Sequence, residues 1–309
     1  MRKKQKFTGL RKNEVVDILH REFFIYPHEV EFENLHLRPF TVFNPAFFKS
    51  KDYLLARVSC GYYRYASCIG LLDVKRKKGK IVIFPENKFN LMGVEDPRYS
   101  SGYIVCTGRS SYYFEREVNR VYPVVYDENF NFLSAIVIEE KNVRSVKNAF
   151  IFNNALFFRF SYINNPFNLC IKKNFRIVGK VTPLSIKKDC IFLELCEKFE
   201  EKVGWTFAPV KVDDDLYIAF LHALTRDERH YNLFFITLDE KLRVTGISEC
   251  YVASPRTVEE RYGDRPYVIF PCGGVKEGRK IYVSYGAADS CIGIGHFRIK
   301  DLLSLTKTL

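Results

Sequence analysis

The stretch Gly93–Gly108, GVEDPRYSSGYIVCTG, sets a pattern that the rest of the chain repeats. A short segment carrying Glu95, Asp96 and Pro97 enters a turn, and an apolar run from Tyr103 follows. Four other pairs have the same form: VFNPAFF (Val42) before YLLARV (Tyr53), SVKNAFIF (Ser145) before LFFRFS (Leu156), WTFAPVKV (Trp205) before LYIAFLH (Leu216), and VIFPCGGV (Val268) before IYVSYG (Ile281). The apolar members begin at positions 53, 103, 156, 216 and 281, a period of roughly 50 residues that lengthens along the chain. An ordinary β-sandwich would need this spacing to be coincidental. The period instead predicts an all-β chain folded as a five-bladed β-propeller.

Helical signals are few. NEVVDILHREFF (Asn13 to Phe24) has helical spacing of apolar residues behind a candidate N-cap, Asn13. CIFLELCEKFEEKVGW (Cys190 to Trp205) has it too and falls between the third and fourth units. The expectation is one catalytic domain over 1–309, with a helical extension over 1–30 and a helical insertion between blades three and four.

Composition narrows the class. Hydrophobic residues at 47% and aromatics at 16% argue for a packed core and against disorder. A net charge of +12 predicts attraction for anions. No apolar run approaches the ~20 residues that cross a bilayer. The basic start MRKKQKF leads into GLRKNEVVD rather than the apolar core of a secretion signal. Nine cysteines without a C-x-x-C pair read as reduced thiols in a cytoplasmic protein with no metal site. The basic runs MRKKQKFTGLRK and VKRKKGK lack the interleaved aromatics of a single-strand binder and read as solvated faces. Neither nucleic acid nor membrane is an expected partner.

The apolar members end in polar groups at equivalent places: Arg57, Thr107, Arg159, His222 and Tyr285. Each by itself reads as a hydrogen-bonded strand end. Five together predict a cationic, aromatic-lined cavity for a small anionic ligand. Within GVEDPRY, strand alternation sends Glu95 and Asp96 to opposite faces, with Arg98 on the face of Asp96. Pro97 is expected to hold Asp96 extended. A lone carboxylic acid so placed suits proton delivery to a leaving group, while a turn cap paired with Arg98 is the plainer reading.

GVEDPR, the NPAFF segment with Asn44 and Pro45, FPCGGV and SYGAADSCIGIG (Ser284 to Gly295) together resemble glycoside hydrolase family 130. The resemblance runs in order from about Asn44 to Gly295. That family contains mannoside phosphorylases and β-mannosidases on a five-bladed β-propeller. It implies that Asp96 is the general acid, and that Arg159, Lys202 and His222 hold phosphate together with Lys147-Asn148, for which Arg144 is the alternative. It also implies that Asn44, Arg57 and Asp289 contact the mannosyl ring, where Asn148 and Tyr285 are expected to join them as substrate-binding residues. Ala223 stands after His222 where the family usually has Gly.

Hydrolytic inversion needs two carboxyl groups, whereas phosphorolysis needs an acid and cations for an already anionic nucleophile. The expected activity is therefore inverting phosphorolysis of a β-1,2- or β-1,4-linked manno-oligosaccharide to α-mannose 1-phosphate. Inorganic phosphate would be the co-substrate, and no cofactor is expected. The alternatives are a β-mannosidase, a mannosyltransferase using an activated donor, and a non-catalytic glycan- or nucleic-acid-binding propeller. Oligomeric state, a homo-oligomer included, is left open.

Overall fold

The structure, a computed structural model, describes every residue except 1–2, 62–64, 112–120, 141–142, 163–164 and 188, and leaves out the side chains of 3, 144, 162 and 165–167. All five units contain an antiparallel pair. The leading strands Thr41–Phe48, Gly93–Ser100, Val143–Phe152, Glu200–Trp205 and Ile269–Glu277 pair with Ser50–Ser59, Tyr103–Arg109, Ala155–Tyr162, Leu216–Thr225 and Lys280–Ala287. The following strands show why. Leu216–Thr225 and its neighbour Tyr231–Leu238 are apolar on both faces and buried almost throughout, as strands covered on both sides must be.

The five-bladed propeller is not what these pairs build. The described strands fall into four separate sheets of ten, six, four and five strands, and none closes on itself. The second and third units share the ten-stranded sheet, because Val121 pairs in parallel with Ser145 and bridges them. Two short helices, Val258–Arg261 and Ile299–Ser304, complete a mixed α/β fold.

Neither expected helix forms. His20–Ile25 runs antiparallel to Cys291–Arg298, and Val15 bridges Tyr251, so the N-terminal segment completes sheet edges. Cys190–Glu194 and Glu200–Trp205 are two strands separated by a turn. Glu200 inside that stretch is fully buried and accepts hydrogen bonds from Arg11 Nη2 (2.6 Å) and Tyr251 Oη (2.6 Å). Tertiary pairing of unpaired edges and a buried ion pair override the helical spacing.

Adjacent sheets share cores. Phe150, Phe157 and Leu169 of the ten-stranded sheet pack with Trp205, Leu221 and Phe234 of the six-stranded one. Phe48, Leu55 and Ile69 meet Val94, Ile104 and Val124 across the junction that carries Asp96. Truncating one such phenylalanine to alanine costs about 3–5 kcal/mol, so the strands that hold the site are firmly placed.

Candidate active site

Three leading strands slip register by one residue at the same place. Phe43 faces Arg57 and Ala46 faces Leu55, so Asn44 and Pro45 together oppose one residue. Glu95 faces Thr107 and Arg98 faces Val105, which leaves Asp96 and Pro97 in the bulge. Lys147 faces Arg159 and Phe150 faces Phe157, leaving Asn148 and Ala149. The first bulge residue is left-handed each time: φ is 48° at Asn44, 51° at Asp96 and 54° at Asn148. Asn and Asp tolerate that region better than other side-chain-bearing residues. A bulge re-aims its side chain, and all three point into one pocket.

This corrects the reading of GVEDPRY. Asp96 is not extended, and the bulge cancels the alternation, so Glu95 and Asp96 both line the pocket. Arg98 does not line it. Arg98 lies buried behind it, donating from Nη1 to the Asp96 carbonyl (2.9 Å) and from Nε to the Thr206 carbonyl. It thereby ties the bulge to the six-stranded sheet. Ser284 Oγ does the same for the first bulge, donating to the Pro45 carbonyl (2.9 Å). Gly286 is required beside it, since a Cβ there would lie 1.9 Å from Asn44 Oδ1.

The pocket residues form two clusters. In the first, Asp96 Oδ1 accepts from Asn44 Nδ2 (2.8 Å) and Arg57 Nη1 (3.2 Å), while Oδ2 has no hydrogen-bond partner among the described residues. Glu95 is more fully engaged: Oε1 takes Arg109 Nε (2.8 Å), and Oε2 takes Lys147 Nζ (3.0 Å) with Arg57 Nη1 at 3.7 Å. Burial pushes the Glu95 carboxyl up, but Lys147, Arg57 and Arg109 outweigh it and hold it well below the ordinary range. Arg57 is held in turn by Ser67 Oγ, which accepts from its Nε (3.1 Å).

The second cluster is cationic. Arg159, Lys202, His222 and Arg265 line the pocket with Tyr231 and Phe270. Burial first, then Arg159 and Arg265, pull the Lys202 amine down to about 7. Burial with the neighbouring Arg159, Arg98 and Lys202 lowers His222 well below its usual value, so its ring is neutral. Burial likewise lowers Arg159, to about 10. His222 Nδ1 and Asn148 Oδ1 are buried without a hydrogen-bond partner among the described residues. Gly204 makes room for both, because a Cβ there would lie 2.5 Å from His222 Nε2 and 2.7 Å from Asn148 Oδ1.

Of the residues predicted from sequence, the pocket brings together Asn44, Arg57, Asp96, Lys147, Asn148, Arg159, Lys202, His222 and Asp289. Tyr285 is not among them. It is buried in the core between the six- and four-stranded sheets, and its hydroxyl donates to Glu260 (2.9 Å). Thr107 is buried outside the pocket as well. The Arg144 side chain lies outside the described residues. Sequence reasoning missed Tyr65, Glu95, Tyr231, Arg265 and Phe270. Glu95 was legible from the Asp-Pro bulge signature. Arg265 lies outside the repeat units and gave no signal.

The model of glycoside hydrolase family 130, described as beta-1,4-mannooligosaccharide phosphorylase, matches residues 9–308. The chain belongs to this family. Family 130 is one of carbohydrate-active enzymes, glycoside hydrolases and phosphorylases acting on mannosides. A 1,2-beta-oligomannan phosphorylase of Thermoanaerobacter sp. (strain X514) is 27% identical over 101 residues, 33% of this chain and 34% of that relative. The match thus spans about a third of that relative's length. Among solved structures, the beta-1,2-mannobiose phosphorylase of Listeria innocua superposes with a TM-score of 0.72 at 16% identity, over 93% of this chain and 98% of that one. MPT-1, a GDP-Man-dependent mannosyltransferase of Leishmania mexicana, gives 0.55 at 12% identity, over 90% and 89%. These structural likenesses establish a shared fold. No helix among the described residues is long and apolar enough to cross a membrane.

Proposed function

We propose that this family 130 protein catalyses inverting phosphorolysis of a β-mannoside, releasing α-mannose 1-phosphate. The observation that carries the reading is the division of the pocket. Asp96 has one oxygen oriented by Asn44 and Arg57 and the other open, the arrangement a proton donor needs. Lys202, Arg159, Arg265 and neutral His222 gather on the other side of the same pocket, and an anionic nucleophile answers that charge. Asn44, Arg57 and Asp289 hold the mannosyl unit, and Asn148 and Lys147 border the phosphate.

Hydrolysis would need a second carboxylate free to activate water. Glu95 is unsuited, since both its oxygens are held by cations. Asp289 is the carboxylate that a mannosidase would have to use. The phosphorylases among the relatives support the first reading. Incubation with β-1,2- and β-1,4-mannobiose, with and without phosphate, tests it. Mannose 1-phosphate forming only with phosphate is expected. Free mannose released at the same rate without phosphate would sink the proposal.

A further inference from the structure

The segment after the helix Val258–Arg261 brings to the pocket a cation that the repeat units do not supply. It is built to stay there. Glu260, fully buried, accepts from the backbone N–H groups of Arg256 (2.6 Å) and Thr257 (3.1 Å), from Arg21 Nε (2.7 Å) and from the Tyr285 hydroxyl (2.9 Å). Beyond the helix, Arg265 N donates to the Ala288 carbonyl (3.0 Å) and Asp264 N to Ser290 Oγ (2.8 Å). The loop is therefore stapled to the turn carrying Asp289. Gly263 allows the approach, as a Cβ there would lie 2.5 Å from Ser290 Oγ and 2.6 Å from the Ala288 carbonyl.

Arg265 lies over Tyr231, its Cζ 4.6 Å from the ring centroid, and Lys202 Nζ is 5.3 Å from the same centroid. Two cations thus share one aromatic ring at the pocket wall. Among the described residues no carboxylate pairs with Arg265, whereas Arg57, Arg109 and Lys147 all have one. Arg265 is only partly buried, so it meets solvent as well as the pocket. Tyr231 restrains the guanidinium without neutralising it.

From this placement, and resting on the phosphorylase reading above, we infer that Arg265 determines specificity at the phosphate subsite. It forms the outer wall of that subsite and favours a doubly charged anion over water as the nucleophile. The positive charge it adds beside Lys202 and His222 is relieved when a dianion binds, whereas a neutral water molecule relieves nothing. A planar guanidinium also offers paired donors that match two phosphate oxygens.

The test uses the full chain as wild type, Arg265→Gln and Arg265→Lys. Phosphate and β-mannobiose binding are measured separately by calorimetry, and turnover by the ratio of mannose 1-phosphate to mannose. Arg265→Gln is expected to raise the phosphate Kd and KM by about ten- to a hundredfold, the range of one charge-assisted contact. The mannobiose Kd should stay within about twofold by the same arithmetic, the product ratio should shift toward mannose, and Arg265→Lys should recover part of the loss. An unchanged phosphate Kd in Arg265→Gln overturns the inference alone. So does an equal loss of phosphate and mannobiose binding, which would make Arg265 a structural prop for the loop. Wild-type protein that binds no phosphate overturns the phosphorylase reading, and the inference with it.

Discussion

The two clusters of the pocket are built on opposite electrostatic plans. Around Glu95 and Asp96 every charge has a partner: Arg57, Arg109 and Lys147 answer the two carboxylates, and Asn44 fixes the orientation of Asp96. Around Tyr231, Lys202, His222 and Arg159 are all pushed toward or into their less charged forms by burial first, and then by neighbouring arginines. The first cluster is held by internal ion pairs, and the second is the one to which the proposed phosphate would bind.

Breaking the complete cluster should produce the largest effects. Asp96→Asn keeps the shape and removes the proton, so kcat should fall by roughly 10²–10⁴-fold with the melting temperature little changed. Glu95→Gln should act oppositely, on the fold. Removing one partner of a buried ion network costs about 3–5 kcal/mol, readable by denaturant unfolding. The sign with pH follows. The Glu95 carboxyl is lower in the folded than in the unfolded chain, so its contribution is present above the unfolded value and lost as pH falls below about 4.

The cationic cluster should respond to pH in the neutral range. Lys202 at about 7 lies below its unfolded value, which is about 10.4. Between the two, the unfolded chain binds a proton that the folded one lacks, so phosphate-free stability should rise with pH across that window. Phosphate affinity should fall over the same rise, with proton uptake on binding near pH 8. Calorimetry in buffers of different ionisation enthalpy reads that uptake, and Lys202→Met should abolish it while weakening phosphate binding about tenfold or more.

Gly204→Ala should disturb the same cluster through shape. Its Cβ would press on His222 and Asn148, costing about 1–3 kcal/mol and raising the phosphate KM more than the mannoside KM. The smallest effect belongs outside both clusters. Tyr285→Phe loses a hydrogen bond to Glu260, about 1–2 kcal/mol of stability, and should leave the mannoside KM unchanged.

Much of this contrast could be read in the sequence. Recurring apolar runs between polar turns located the strands, and the placement of Arg57, Arg159 and His222 at equivalent strand ends located the basic side chains of the pocket. What strand alternation could not give was the face of Asp96. Pro97 excludes the right-handed helical region, and Asp96 escapes into the left-handed one rather than the extended one. The recurrence of Asn44-Pro45, Asp96-Pro97 and Asn148-Ala149 held that information. Tyr285 failed for the opposite reason, since the strand there keeps its alternation and turns the ring toward Glu260. Asn13 to Phe24 misled because free sheet edges recruit a segment whatever its helical spacing. The recurrence of units likewise did not reveal that the second and third share one sheet.

The claim that phosphate completes the cationic cluster is tested most directly by a crystal structure determined with inorganic phosphate. The account predicts one phosphate within hydrogen-bond distance of Lys202, Arg159 and His222, with Asp96 still held by Asn44 and Arg57. Phosphate bound only outside this pocket, at concentrations that support turnover, would contradict it.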